Sequence, residues 1–128
     1  MIGGGNVVGV GIDAVDVERF RTVLGRRRGF AERVFTSAER AEAAVRRDPV
    51  PGLAARFAAK EAVMKSLSVG LGAFDFVDVE VVRGEGGAPA LTVTGRAAAL
   101  AGARAVAGWH VSLTHTAITA MAIAVAYR

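Results

Sequence analysis

Cysteine is absent from this chain of 128 residues, and histidine occurs at two positions, His110 and His115. Without cysteine, the chain has no disulfide and no thiolate metal site. Two histidines also argue against a histidine-based zinc centre, whereas oxygen ligands for an ion such as Mg²⁺ remain available. Carboxylates are therefore the candidate metal ligands of this sequence.

Long hydrophobic runs are absent as well. The longest apolar stretch, Ala117 to Tyr127, is shorter than the ~20 residues that a bilayer-spanning helix needs, and it is typical of a buried strand. The segment from Met1 to Asn6 has no basic residues before an apolar run, so we expect no secretory signal. These features predict a cytoplasmic protein that does not bind membranes.

Lysine is scarce, because Lys60 and Lys65 are the only lysines and arginine carries the remaining positive charge. The formal net charge is +4, and six arginines lie between Arg19 and Arg33. Such a patch predicts an anionic partner, with a solvated helix face as the structural alternative. Few aromatic residues interleave with the patch and no nucleic-acid motif is recognisable, so we expect an acidic protein surface as the partner rather than nucleic acid.

The length predicts one domain, residues 1–128, with a single core. Much of the apolar content is alanine, which adds little buried area per residue. A modest core of this kind favours association with neighbouring subunits. No internal repeat or linker is visible, and the periodic segments predict an α+β class in which helices pack on an antiparallel sheet.

The predicted elements alternate between helix and strand periods. Asp13 or Asp16 is expected to cap the first helix, and a Thr-x-x-Glu capping box at Thr36 opens the second. The elements are a strand at 7–12 that ends at Asp13, a helix from there to Gly29, a helix from Thr36 to Arg47 that Pro49 and Pro51 terminate, a helix over 53–67, a hairpin of 77–83 and 90–94, a helix over 96–106, and strands at 109–114 and 119–127.

Residues 53–67 form the most informative segment. Side chains three or four positions apart are neighbours on a helix, so Arg56 is placed beside Lys60, and Glu61 beside Lys65. A carboxylate between cations on an otherwise apolar helix suits a site that holds a metal and phosphates. The structural alternative is a pair of weak surface salt bridges.

Asp13 is the second carboxylate of interest, although capping the following helix is the better explanation of Asp13 taken by itself. If Asp13 and Glu61 meet in space, they form a pair of hard oxygen ligands. Such a pair is typical of a Mg²⁺ site that leaves positions for water and phosphate oxygens.

The segment 109–116 contains a histidine and two hydroxyl side chains. Strand alternation places Ser112 and Thr114 on one face and His115 on the other. His115 either completes a hydrogen bond at the strand end or contacts a phosphate, assisted by nearby hydroxyls and backbone amides.

Five segments carry a resemblance to a known family. They are Gly-Ile-Asp at 11–13, Arg-Phe at 19–20, Glu-Arg-Val-Phe-Thr at 32–36, Arg-Phe-Ala-Ala-Lys-Glu-Ala at 56–62 and His-Val-Ser-Leu-Thr-His-Thr at 110–116. In this order the chain resembles the short, single-repeat 4′-phosphopantetheinyl transferases, the holo-acyl-carrier-protein synthases. The resemblance implies that fold, and transfer of phosphopantetheine from coenzyme A to a serine of an acyl carrier protein.

The resemblance also implies roles for residues that match the family motifs. Asp13 and Glu61 match the Mg²⁺ ligands, and either Glu61 or a metal-bound water would accept the serine proton. Lys65 matches the lysine that stabilises the pyrophosphate and the leaving phosphate. Residues expected to contact the phosphates of coenzyme A are Arg56, Ser112, Thr114 and His115, together with Lys65.

The basic patch has a counterpart in the family. Arg19 and Arg26 match the helix that receives the acidic helix of the carrier. Short members assemble as trimers with each active site at a subunit boundary, which implies that Asp13 and Glu61 come from one protomer and the hairpin of His115 from its neighbour. The carrier's pathway, in fatty acid, polyketide or peptide synthesis, stays open.

Two further points bear on the resemblance. Family members often continue with glycine after Lys-Ser-Leu, whereas this chain has Ser68 and Val69 before Gly70, so the local loop conformation is in question. The rival interpretation is a non-catalytic, basic module that binds an anionic partner such as nucleic acid. That interpretation explains the arginines but gives no joint purpose to Asp13 and Glu61.

Overall fold

The computed structural model describes residues 6–128. Residues 1–5, which belong to the segment where we expected no secretory signal, lie outside the described residues. The strands are β1 (Val7–Asp16), β2 (Val79–Arg83), β3 (Pro89–Val93), β4 (Gly108–His115) and β5 (Thr119–Tyr127). The helices are α1 (Val17–Arg26), α2 (Phe30–Val34), α3 (Ser37–Ala44), α4 (Val50–Ser66) and α5 (Gly95–Ala103). This composition confirms the predicted α+β class. None of these helices has the length and apolarity that crossing a membrane requires.

The strands form two antiparallel sheets. The larger sheet has three strands in the order β1-β5-β4, and the smaller one pairs β2 with β3. Along β5, every second residue from Ala120 to Ala126 is buried, whereas Met121 and Ile123 between them are 39% and 38% exposed. The expectation of a buried strand therefore holds for one face of β5, and the opposite face is open.

Helix α4 lies very close to the covered face of the larger sheet, because small residues meet on both sides. A Cβ atom at Gly9 would lie 1.9 Å from the carbonyl oxygen of Ser66, and one at Gly11 would lie 1.9 Å from that of Ala62. Only glycine permits this approach of the two backbones. The alanine content of the chain thus serves a close helix–sheet contact as well as a small core.

Phenylalanine side chains hold the other helices against α4. The ring of Phe20 on α1 lies 5.2 Å from that of Phe57 on α4 and 5.9 Å from that of Phe30 on α2. Edge-to-face and tilted pairs of this kind contribute beyond their buried area. The aromatic cluster therefore fixes the position of α1, on which Arg19 and Arg26 are exposed.

Two element boundaries differ from the sequence prediction in ways that matter for the site. Strand β1 continues to Asp16, whose Oδ1 accepts a hydrogen bond from the backbone N–H of Arg19 at 2.9 Å, so Asp16 caps α1 and Asp13 stays free of that role. Helix α4 begins at Val50 rather than 53, because Pro51 fits the first helical turn, where no N–H partner is required. The short helix α2 was not predicted.

The loop after α4 shows what the departure at Ser68 means. Ser68 has φ of 57°, in the left-handed region, and its N–H donates to the carbonyl oxygen of Lys65 at 3.0 Å. The N–H of Val69 donates to the carbonyl oxygen of Met64 at 3.0 Å. This is the helix end that glycine usually forms, and here a serine adopts it.

We expect Ser68→Gly to stabilise the protein. Glycine has no Cβ to clash in the left-handed region, so the free energy of unfolding should rise by about 1 kcal/mol, less the entropy that glycine gains in the unfolded chain. Urea unfolding curves measure this change. Ser68→Ala is the matched control because it retains the Cβ and should give no gain; equal stabilisation by both variants would contradict the explanation.

Candidate active site

Asp13 and Lys65 meet where α4 crosses β1. The Nζ atom of Lys65 donates to Asp13 Oδ1 at 3.0 Å and to the carbonyl oxygen of Ile12 at 2.9 Å. The Asp13 side chain is 14% exposed and that of Lys65 is 53% exposed. A Cβ at Gly11 would lie 2.9 Å from the Cβ of Lys65, so the missing side chain at Gly11 is part of what allows this contact.

Glu61 belongs to the same cluster. Burial raises the pKa of the half-buried Glu61 carboxyl above its ordinary value, and the charge of Asp13 raises it further, while Lys65 opposes the shift. The two carboxylates are thus close enough to repel each other at a partly dehydrated position. Such a pair favours an additional cation between them.

The chemistry of these donors fits a hard divalent ion. Within residues 6–128, no group of three or more Asp, Glu, His or Cys side chains is arranged to hold a metal. Two carboxylates alone suit Mg²⁺, which typically takes one or two protein carboxylates and completes its coordination with water and phosphate oxygens. Asp13 and Glu61 are the residues in this cluster that would hold it.

A second group of predicted residues lines a separate cavity of about 490 Å³. Arg56 and His115 both contribute to its wall, although they lie on α4 and at the end of β4. Its basic lining also includes two arginines that sequence reasoning missed, Arg46 and Arg83, while Asp13, Glu61 and Lys65 are not among the lining residues. Arg46 and Arg83 are 37 positions apart in the sequence, which gave no indication that they line one cavity.

Arg56 is the most buried cation of this cavity. Its Nη1 donates to the carbonyl oxygen of Gly52 at 3.3 Å, whereas its buried Nε has no hydrogen-bond partner among the described residues. Burial lowers the pKa of the Arg56 guanidinium below its ordinary value. A buried donor without an acceptor is costly, so an incoming anion would gain from satisfying it.

Arg83 closes the side of the cavity by joining two elements. Its Nε donates to Glu42 Oε1 on α3 at 2.6 Å, and its Nη1 donates to the carbonyl oxygen of Gly87 at 3.3 Å. The hydrogen bond from Arg83 lowers the pKa of the Glu42 carboxyl. The β2–β3 hairpin is therefore tied to α3 at the cavity wall.

Ser112 and Thr114 lie elsewhere. They are exposed on the face of the larger sheet that points away from α4, opposite Ile123 and Met121 on β5. Within one chain they do not line the cavity that contains His115, because successive strand residues point to opposite faces. Their contact with coenzyme A stays a prediction.

The arginine patch is only partly free. Arg19 and Arg26 are exposed on α1. Arg21 is engaged, because its Nη2 lies 2.8 Å from Asp48 Oδ2 and its Nε lies 3.2 Å from Glu18 Oε2. Hydrogen bonding by Arg21 lowers the pKa of Asp48, so this pair fastens α1 to the segment before α4.

Lys60 is not the surface side chain that the salt-bridge alternative required. It is fully buried, and its Nζ donates to Glu39 Oε1 at 2.8 Å, to the carbonyl oxygen of Phe76 at 3.1 Å and to that of Val79. Of its neighbours three and four positions along the helix, Val63 and Met64 are buried and apolar. Lys60 is therefore a structural cation between α3, α4 and β2.

Comparison with known proteins identifies the family and the fold of this chain. Residues 9–126 match the family model of the 4′-phosphopantetheinyl transferase superfamily. The holo-[acyl-carrier-protein] synthase of Frankia casuarinae is 50% identical over 94% of this chain and 97% of its own length. The structure of the Neisseria meningitidis holo-[acyl-carrier-protein] synthase has a TM-score of 0.84 at 28% identity, covering 95% of this chain and 99% of that chain. The Helicobacter pylori synthase, solved in complex with coenzyme A, has a TM-score of 0.79 at 28% identity, covering 91% and 98%.

Proposed function

The chain belongs to the 4′-phosphopantetheinyl transferase superfamily, and we propose from its geometry how it transfers 4′-phosphopantetheine from coenzyme A to a serine of apo acyl carrier protein. The observation that carries the proposal is the convergence of Asp13, Glu61 and Lys65 where α4 crosses β1. Residues 1–128 would act as one transferase domain in the cytoplasm.

Mg²⁺ is the proposed cofactor, with Asp13 and Glu61 as its protein ligands. When bound, it would neutralise negative charge on the diphosphate of coenzyme A, which is the main requirement of phosphoryl transfer. The serine proton would pass to Glu61 or to a metal-bound water, because both would lie beside the attacking hydroxyl group.

The reaction breaks and forms one phosphorus–oxygen bond. The serine oxygen bonds to the phosphorus that carries pantetheine, the bond from that phosphorus to the bridging oxygen breaks, and adenosine 3′,5′-bisphosphate leaves. Lys65 would turn from Asp13 to donate to the departing phosphate and offset its growing charge, because its side chain is about half exposed.

The cavity lined by Arg56 and His115 would bind the remaining anionic part of coenzyme A. Three arginines and a histidine line it, and the unpartnered Nε of Arg56 offers a buried donor to a phosphate oxygen. Arg46 and Arg83 are added here to the residues predicted from the sequence. Ser112 and Thr114 would reach the ligand only from another protomer.

A homotrimer is part of the proposal. In one chain the cavity lined by Arg56 and His115 does not include Asp13 or Glu61. The outer face of the larger sheet, defined as the face away from α4, supports it. On that face Val10 and Ile12 are each 55% exposed, and Ile12 pairs with Ile123 of β5. Met121, also on β5, is the next residue on the same face. An apolar row of this kind is typical of a surface that another subunit covers. Asp13 and Glu61 of one protomer would then lie next to the cavity that His115 lines in its neighbour.

We expect Ile123→Asp to dissociate the assembly and to abolish transfer. A carboxylate at the centre of the outer face would be buried without a partner in the trimer. Sedimentation velocity measures the assembly, and circular dichroism checks that the monomer stays folded. Leu71→Asp is the control, because Leu71 is 75% exposed in a loop. A trimeric, active Ile123→Asp protein would contradict this interface.

The carrier would dock on the exposed arginines of α1. We expect Arg19→Glu and Arg26→Glu to raise the KM for carrier more than the KM for coenzyme A, and wild-type association to weaken as salt rises. Steady-state kinetics with each substrate varied measures both constants. Arg47→Glu is the matched control, since Arg47 is also exposed but lies beyond α3. Unchanged KM values for both substrates would place the carrier elsewhere.

Intact-mass measurement tests the function directly. Apo acyl carrier protein, incubated with this protein, Mg²⁺ and coenzyme A, should gain the mass of one phosphopantetheine. A carrier with alanine at the modified serine should gain none, and chelation of the metal should stop the reaction. A carrier that keeps its apo mass under all conditions would overturn the proposal.

A further inference from the structure

The contact between Lys65 and Asp13 bears on how a metal ion enters the site. Two fixed acceptors hold the ammonium group: Asp13 Oδ1 at 3.0 Å and the carbonyl oxygen of Ile12 at 2.9 Å. The Asp13 carboxylate is nearly buried, so its oxygens have little access to water. A cation that binds Asp13 therefore meets an ammonium that is already bonded to it.

Charge makes this meeting unfavourable. Asp13 and Glu61 together carry two negative charges, and Lys65 cancels one of them at hydrogen-bond distance. A divalent ion is attracted to the carboxylates but repelled by the ammonium, and both effects are strong where solvent is partly excluded. The attraction of the cluster for an ion thus depends on where Lys65 points.

We propose that Lys65 and the divalent ion compete for Asp13, so that Lys65 must leave Asp13 for the ion to bind tightly. The inference rests on the proposed function, in which Asp13 and Glu61 hold the metal and Lys65 contacts phosphate. The Lys65 side chain is about half exposed and only its head group is held, so it moves without disturbing the core.

Competition couples the metal to the anionic substrate. A diphosphate that approaches the cluster attracts the Lys65 ammonium and thereby releases Asp13. Metal binding and diphosphate binding then strengthen each other by the same factor, as linkage requires. The coupling therefore has two contributions: direct contact of the ion with phosphate, and the release of Asp13 when Lys65 moves to the phosphate.

Titration with Mn²⁺, followed by the paramagnetic resonance signal of the free ion, tests this proposal without measuring turnover. Lys65→Met removes the charge and keeps a long aliphatic side chain, so it should lower the Kd for Mn²⁺ about tenfold, or ~1.4 kcal/mol. Lys65→Arg retains the charge and should change Kd by less than about threefold. Coenzyme A should tighten Mn²⁺ binding by a larger factor in the wild type than in Lys65→Met.

Asp13→Asn separates the two levels of the argument. If wild type and Asp13→Asn bind Mn²⁺ equally, the metal assignment itself is overturned, and the competition with it. If Asp13→Asn loses Mn²⁺ binding while Lys65→Met binds no tighter than the wild type, the proposed function stands and the competition alone is overturned. Loss in Asp13→Asn with tightening in Lys65→Met supports both.

Discussion

Replacement of Glu61 by glutamine should lower kcat for carrier modification by about 10²- to 10⁴-fold, because the variant loses a proton acceptor and a charged metal ligand together. The fold should persist, since glutamine has the shape of glutamate and the site is half open. Intact-mass time courses measure the rate, and circular dichroism checks the fold. Glu85→Gln, an exposed change in the β2–β3 turn, is the control.

The same variant should be at least as stable as the wild type when no metal is added. Burial and the charge of Asp13 raise the pKa of Glu61 above its value in the unfolded chain. Between those two values the folded protein binds more protons than the unfolded chain, so the free energy of unfolding falls as pH rises through that window. Glutamine does not titrate, and Glu61→Gln therefore lacks this loss at neutral pH.

Added Mg²⁺ should reverse that order, because an ion that binds only the folded protein stabilises it. Thermal unfolding with and without Mg²⁺ measures both effects. The role of Glu61 would be contradicted by wild-type turnover in Glu61→Gln, or by equal stabilisation of the two proteins by the metal.

The largest effect on stability is expected from Lys60→Met. The change leaves the Glu39 carboxylate buried without its cation, and breaking a buried pair in this way costs about 3–5 kcal/mol. Both side chains are completely shielded from solvent. A domain of this size has a total stability of about 5–15 kcal/mol, so the urea midpoint should fall steeply or the protein should fail to fold.

Two comparisons identify the unpaired charge as the cause. Glu39→Gln added to Lys60→Met should recover part of the lost stability, because it removes the unpaired charge. The recovery is incomplete, since one of the N–H groups of Thr36 and Val81 that donate to the carboxylate loses its acceptor. Glu18→Gln, which breaks an exposed pair, should have a far smaller effect. A wild-type urea midpoint in Lys60→Met would contradict the structural role.

Local patterns predicted the elements but not all of their ends. The capping box at Thr36 is present, with reciprocal hydrogen bonds between Thr36 and Glu39. The strand that begins at Val7 runs past Asp13, because its pairing with β5 continues to Asp16. Pairing partners lie far along the chain, so periodicity within the strand gives no measure of where pairing stops.

Lys60 shows the same limit for a single side chain. Lys60 and Glu61 are adjacent on α4, and the sequence analysis assigned both to one predicted metal and phosphate site. In the structure Lys60 is buried in the core, whereas Glu61 lies near Asp13. The partner of Lys60 is Glu39, which is 21 residues away. The other two acceptors are the carbonyl oxygens of Phe76, just before β2, and of Val79, at its start. Only packing decides which of two adjacent polar residues is buried.

The sequence by itself determined the class of fold, the family and the residue types that the chemistry needs, because these depend on local periodicity and on motifs within a few residues. The tertiary structure decided which of those residues meet. Asp13 and Lys65 are 52 positions apart and touch only because two glycines let α4 approach β1, whereas Ser112 and His115 are neighbours along the chain and point to opposite faces. The order of residues along the chain does not fix which side chains are in contact, because contacts result from the close packing of the folded chain.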